Sequence, residues 1–280
     1  MAAQFTFPPN FNVATHFIDR NVSEGLGEKI AIETAAGQVT YSQLLERVNR
    51  FGNALRTLQV RAEERVLLLL LDSPEFAYAF FGSIKAGAVP VPVNTLLKPH
   101  DYQFLLNDSR ARVLIVSEPL LPQVQAIPQE RLLHLRHIVV AGPTPDGMHE
   151  LSELMARASP CLEPEVAGPD APAFWLYSSG STGNPKGCVH LQHDMVVCAE
   201  LYAKRVLGIS RSDRCFSVAK LFFAYGLGNA LYFPFSVGAT TILYAGPPVA
   251  RDIYRVIEQH RPTLFFSVPS NYAALLNCKP

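Results

Sequence analysis

A chain of 280 residues can bury a large core, and length alone allows one or two domains. Lys plus Arg equals Asp plus Glu at 24 each, so the net charge is zero; nothing suggests a basic surface for nucleic acid or an acidic tail, and the expected partner is a small molecule. The five cysteines (Cys161, Cys188, Cys198, Cys215, Cys278) form neither a C-x-x-C pair nor a zinc-spaced cluster, the N-terminus is not built as a secretory signal, and apolar runs such as Val66 to Leu71 fall far short of the roughly 20 residues a membrane helix needs. A soluble, cytoplasmic protein with no membrane partner is expected.

In chain order, Leu44, Leu45, Val48, Phe51, Leu55 and Leu58 recur at helical spacing behind a capping-box pair, Thr40 and Gln43. The run "RVLLLLL" then suits a strand buried on both faces. "PEFAYAFFGSIKAG" reads as a helix opened by Pro74 and closed by Gly87, and "AVPVPVN" as extended chain. A helix near 99–108, a strand at "ARVLIVS", a short helix, a strand at "HIVVAG" and a helix near 149–158 continue the alternation, which is the signature of mostly parallel sheets flanked by helices. The Pro-rich, aperiodic stretch up to Pro172 predicts a linker, dividing the chain into a first α/β lobe (1–160), a linker (161–172) and a second α/β lobe (173–280). The second lobe reads as the strand "AFWLYS", a glycine-rich loop, a helix from about His190 to Leu207, the strand "CFSVA", the apolar helix "FFAYGLGNALYFPFSVG", the strand "ATTILY", the helix "ARDIYRVIEQH" and the strand "TLFFSVP". The chain stops inside a further helical pattern, so a longer protein is expected.

The loop Ser178–Gly187, "SSGSTGNPKG", holds four hydroxyl side chains, three glycines and a lysine. Neither core nor a simple turn uses that composition. Glycine-rich turns after a strand gather backbone N–H donors, and hydroxyls with one lysine add what a polyphosphate needs. The Walker spacing fails, because Lys186 sits between Pro185 and Gly187, so a kinase-like NTPase is disfavoured; a flexible Ser/Gly linker is the plain alternative.

The segment "YSSGSTGNPKG" resembles the signature loop of the acyl-adenylate-forming superfamily, which includes acyl- and aryl-CoA ligases. "TYSQLLERVNRFGNAL", "RVLLLLLDSPEFAYAFFGSIKAGAVPVPVNTLL" and "GATTILY" resemble the large N-terminal domain of the same enzymes, so the likeness covers essentially the whole chain. The resemblance implies ATP, with Mg²⁺ and coenzyme A. It makes Ser178, Ser179, Gly180, Ser181, Thr182, Gly183, Lys186 and Gly187 the nucleotide-binding residues, with Lys186 and Thr182 the catalytic ones and Thr182 near the metal. The later nucleotide-binding motifs and the small C-terminal domain with its catalytic lysine are not in the sequence, so the fragment alone is expected to be inactive and to need the remaining C-terminal portion as its partner. A homodimer stays open.

"AKLFFAYGLGNALYFPFSVGATT" is similar to benzoate-CoA ligases and neighbouring aryl-CoA ligases, which implies an aromatic carboxylate bound by Phe223, Ala224, Tyr225 and Gly226. Many relatives carry histidine where this chain has Phe223. On pattern alone, aromatics at the start of an apolar helix are more often core. The implied reaction is adenylation of the acid followed by thioester formation with CoA, on benzoate or a hydroxybenzoate; a non-catalytic acid-binding lobe is the competing reading. His190 and His193 are expected to serve a helix terminus, Lys220 to be an ordinary solvated side chain, and Cys188 to have no base beside it.

Overall fold

The computed structural model describes residues 5–178 and 183–278. Strands β1 (Ile30–Thr34) and β2 (Gly37–Thr40) form a hairpin, and α1 (Tyr41–Thr57) follows directly. Its predicted cap is present: the Gln43 N–H donates to Thr40 Oγ1, and Gln43 Oε1 accepts the Thr40 N–H. β3 (Arg65–Leu69) alternates between two cores, with Val66 and Leu68 facing one and Leu67 and Leu69 the other. That is why its apolar run has no polar gaps.

α2 (Pro74–Lys85) ends before Gly87, whose φ of 85° only glycine adopts without strain. β4 (Val89–Pro92) lies at the edge of its sheet, as it must, since Pro90 and Pro92 have no N–H to donate to a second neighbour. Next come α3 (Pro99–Asp108), β5 (Val113–Ser117), the short α4 (Leu121–Gln125), β6 (His137–Ala141), β7 (His149–Glu150) and α5 (Leu151–Arg157). Strands β4-β3-β5-β6-β7, in that order, make a wholly parallel sheet.

The expected linker is not a loose tether. Its backbone is held along α1 and α2: Asn49 Nδ2 donates to Pro160 O, Asn53 Nδ2 to Cys161 O, and the Glu165 N–H to Lys85 O. Beyond it, β8 (Pro172–Ser178) pairs antiparallel with β9 (Lys186–Leu191), and α6 (Asp194–Cys198) runs on as wider π-helical turns to Lys204. The glycine-rich loop therefore closes a β-hairpin. The expected strand-loop-helix is corrected here, because "KGCVHL" extends the chain before the helix begins.

β10 (Arg214–Ser217) leads to a single apolar helical stretch: α7 (Ala224–Leu227), a π-helical segment (Gly228–Tyr232) and α8 (Phe233–Val237), stopped by left-handed Gly238. β11 (Thr240–Ile242), α9 (Ala250–His260), β12 (Leu264–Phe266) and α10 (Pro269–Asn277) follow. The second sheet runs β12-β10-β11-β1-β2, with β1 parallel to β11. The β1–β2 hairpin thus sits in the sheet otherwise made of residues beyond 213, so the sheets do not follow the 1–160/173–280 division read from sequence. β1 is buried at three consecutive residues, Ala31 to Glu33, and its edge pairs with β11 despite the distance in sequence; Glu33 fastens the join, accepting from Arg214 Nη2 at 2.6 Å and pairing with His260 Nδ1 at 2.8 Å. Burial alone would raise the Glu33 carboxyl, but these two partners hold it below the usual range.

Candidate active site

The β8–β9 hairpin is a wedge whose alternate residues face different cores. Phe174 and Leu176 enter the core shared with α2, while Trp175 and Tyr177 pack against the α3 side of the parallel sheet. The Tyr177 hydroxyl donates to Asp108 Oδ2 at 2.6 Å, and the Arg65 guanidinium lies 5.7 Å from the Trp175 ring centre. Burial, reinforced by Asp108, keeps the Tyr177 phenol protonated well above its ordinary range. Gly187 leaves room for Trp175: an added Cβ would meet the ring at 3.2 Å. The hairpin is firmly seated, and its open end carries the loop.

Of the predicted phosphate-binding residues, Ser178 and Lys186 stand opposite each other as the last ladder pair, with Gly187 beside them and Gly183 at φ 101°. Ser178, Gly183, Lys186 and Gly187 are all exposed. Ser179, Gly180, Ser181 and Thr182, including the expected metal contact at Thr182, lie outside the described residues. Cys188 Sγ is 3.7 Å from Ser178 Oγ. Among the described residues no group of three or more His, Cys, Asp or Glu is arranged to hold a metal. The exposed Lys186 and Ser178 offer donors of the kind that phosphate oxygens accept.

Four residues along β9 from Lys186, His190 lies flat on Phe174, ring centres 4.5 Å apart at 6°, with Nδ1 3.5 Å from Asp194 Oδ2. It is a strand residue lining a cavity of about 330 Å³, in place of the helix-terminal role expected from sequence. His193, by contrast, precedes α6 and faces Pro169 O at 2.9 Å. Ala224 and Tyr225 of α7 line the His190 cavity, together with Leu176, Tyr202, Asn229 and Tyr232. Phe223 does not. It is half exposed and belongs to a second, larger cavity of about 700 Å³ shared with Leu71, Leu96, Phe222 and Val268.

Gly226 lines neither cavity. An added Cβ would stand 2.1 Å from Lys220 O and 2.4 Å from Ala219 O, so this glycine lets α7 start directly on the preceding turn. The four expected acid-binding residues therefore divide into two on one cavity, one on another, and one that shapes the backbone between them.

Sequence reasoning misses the roles of Lys220 and Asp72. Lys220 is not solvated: its Nζ donates to Tyr244 O and Gly246 O, each at 2.7 Å, and lies 3.7 Å from Asp72 Oδ2. Asp72 Oδ1 accepts the Leu221 N–H at 3.0 Å. Burial pushes the Asp72 carboxyl up to about 6 despite the nearby ammonium, and it lowers Lys220 against the pull of Asp72. In the sequence Asp72 is only the polar stop of an apolar run, and the signal that the run ends over a cavity is tertiary.

The site thus combines an α/β body with parallel strands, a hydroxyl- and lysine-bearing hairpin and cavities lined partly by aromatic side chains. Residues 19–280 match the AMP-binding enzyme family, and the chain belongs to it. It is 46% identical to a benzoate–CoA ligase of Thauera aromatica over 96% of this chain and 51% of that protein, and 42% identical to a 4-hydroxybenzoate–CoA/benzoate–CoA ligase of Rhodopseudomonas palustris over 95% and 49%. Among solved structures, the anthranilate CoA ligase AuaEII in complex with anthranoyl-AMP shares 40% identity and a TM-score of 0.94, covering 98% of this chain and 52% of that one. A benzoate CoA ligase from Burkholderia xenovorans LB400 shares 44% and 0.88, over 96% and 52%. The chain spans about half the length of the relatives it matches. Among the described residues, no helix is long and apolar enough to cross a membrane.

Proposed function

We propose that the complete protein containing this chain is an AMP-forming aryl-acid–CoA ligase, with benzoate or an amino- or hydroxy-substituted benzoate as the acid. The observation that carries this reading is that Lys186 and His190 stand on one strand, β9. Lys186 opens β9 at the phosphate loop, and four residues on, about 13 Å along an extended strand, His190 walls the cavity of Ala224 and Tyr225. A flat ring in that cavity and a triphosphate at the loop would be brought end to end. The names of the relatives, which are ligases for benzoate, hydroxybenzoates and anthranilate, support the same class of acid.

In the first half-reaction the acid's carboxylate attacks the α-phosphorus of ATP and pyrophosphate departs. In the second, the CoA thiolate attacks the acyl carbon and AMP leaves. Carboxylate and triphosphate repel each other. Lys186 neutralises part of that charge, and Ser178 with the loop backbone supplies hydrogen-bond donors to phosphate oxygens. Magnesium would arrive as part of the nucleotide substrate and offset charge on its phosphates. Stacked Phe174 and His190 with Tyr225 exclude water from one side of the ring.

The test is acid-dependent exchange of labelled pyrophosphate into ATP. The complete protein should exchange with benzoate or its amino and hydroxy derivatives and form the CoA thioester. Residues 1–280 alone are expected to exchange little. Binding of benzoate by the complete protein without any exchange would favour the non-catalytic lobe instead.

A further inference from the structure

The turn between β10 and α7 carries the residues assigned to acid recognition, yet what holds it comes from two other segments. Lys220 spans from the turn to the chain after β11 through its bonds to Tyr244 O and Gly246 O, with the ammonium 5.2 Å from the Tyr244 ring centre. Asp72, just past β3 in the other sheet, takes the Leu221 N–H on one oxygen and faces Lys220 with the other. One carboxylate and one ammonium therefore tie the ends of two sheets to a single turn. Inside that turn, Ser217 Oγ donates to Ala219 O and the Phe223 N–H to Lys220 O. Phe223 emerges on one side of the pinned segment, and Ala224 and Tyr225 on the other.

The side chains of Asp72 and Lys220 are only 5% and 20% exposed. An ion pair so enclosed loses most of its Coulombic gain to desolvation, and a hydrophobic pair of similar volume is often no less stable. What the pair uniquely supplies is direction. The Leu221 N–H from the turn and two carbonyls from the chain after β11 converge on it, and Asp72 brings in the end of β3, which fixes the turn's angle against both cavities.

We propose that Asp72 and Lys220 are positioning residues for acid selection, setting how the turn at 221–225 presents Phe223 to the larger cavity and Ala224 with Tyr225 to the smaller. The proposal rests on the aryl-ligase reading of that site. Among the described residues, neither bonds to Ser178 or Lys186, so the larger effect is expected on the acid.

The experiment measures pyrophosphate exchange by the complete protein with benzoate, 2-aminobenzoate and 4-hydroxybenzoate, comparing wild type with Asp72→Asn, Lys220→Met and Lys220→Arg. Asp72→Asn keeps the shape and an acceptor for Leu221, while it removes the charge and replaces the oxygen that faces Lys220 with an amide N–H. Asp72→Asn and Lys220→Met should raise the KM for the acid about tenfold, leave the KM for ATP within about twofold, and shift the ranking of kcat/KM among the three acids by at least about threefold. Lys220→Arg, which keeps the charge, should stay closer to wild type than Lys220→Met. A lower melting temperature with unchanged acid KM, or an equal loss for all three acids, would overturn the proposal. If Lys220→Met fails to fold, Asp72→Asn decides alone. Wild type that exchanges with none of the acids would overturn the ligase reading and this inference with it, a result separable from variants that merely lose stability.

Discussion

The β8–β9 hairpin and the β10–α7 turn carry the two halves of the proposed chemistry in opposite ways. At the open end of the hairpin, Ser178, Gly183 and Lys186 are exposed, and the seating is done behind them by Trp175 and Tyr177. In the turn, Leu221 is fully buried, Gly226 abuts two carbonyls, and the charged groups are enclosed in the wall. A phosphate site can leave its donors in water until a nucleotide arrives, because charge and backbone N–H groups act without tight packing. A site that must tell one ring from another needs a wall that does not yield. Substitutions at the hairpin should therefore remove chemistry and spare the fold, whereas those in the turn should disturb both.

The largest effect expected from this contrast is Lys186→Ala in the complete protein. Adenylation should fall about 10²- to 10³-fold, the loss typical of removing one preorganised electrostatic partner. Benzoate affinity should change by no more than about threefold, and the melting temperature should hold. Exchange kinetics with calorimetric binding and a thermal melt read all three, and an equal loss of adenylation and acid binding would erase the contrast.

Gly226→Ala is the counterpart on the turn. A Cβ at 2.1 Å and 2.4 Å from two carbonyl oxygens forces the backbone apart, and a cost of about 3 kcal/mol is expected in urea unfolding. Gly183→Ala in the hairpin loop meets nothing within 4 Å and is strained only by its φ of 101°, so about 1 kcal/mol is expected there. Near-equal costs at the two glycines would mean that the turn relaxes easily, against the rigid wall inferred above.

The same contrast separates what is legible in the amino-acid sequence from what is not. The proposed phosphate loop is read from residue types at consecutive positions alone, whereas the Thr40 cap and the two-faced β3 are legible because they follow local periodicity. The hairpin topology is not: "KGCVHL" is too short and too mixed to announce a strand, and its pairing with β8 decides the matter. Phe223, Ala224 and Tyr225 stand together in the sequence as one aromatic group, yet one peptide unit sends the first to a different cavity from the other two. Lys220 reads as a surface lysine because nothing adjacent in sequence marks its partners, Asp72 and Tyr244, which lie far along the chain in opposite directions. The placement of β1 beside β11 is likewise a long-range pairing that no window of sequence contains.

A third experiment titrates the buried wall. The Asp72 carboxyl ionises near 3.8 when unperturbed and about 6 in the folded protein, so between those values the native state binds more protons than the unfolded chain. Stability must then fall as pH rises through that window, the reverse of an ordinary paired carboxylate. Relative to Asp72→Asn, which lacks the titration, wild type should lose about 2 to 3 kcal/mol through it, with other carboxylates cancelling in the difference. Urea unfolding at a series of pH values gives the slope. A wild type that instead gains on the Asn variant as pH rises would show that Lys220 outweighs burial, and that the pair is a net stabiliser.

The smallest effect separates ring from hydroxyl at Tyr225. Its ring lines the smaller cavity, while its hydroxyl reaches Ser267 O at 3.3 Å, a long bond that joins α7 to the end of β12. Tyr225→Phe removes only that bond, so stability should drop by about 0.5 to 1 kcal/mol. If the ring face is what meets the acid, KM for benzoate should move by less than about twofold, since Phe offers the same face. A much larger rise confined to KM for the acid would mean that the hydroxyl, held by Ser267, sets the width of the cavity. The turn would then be pinned at its far end as well as at Asp72, and its rigidity would be shared between both sheets.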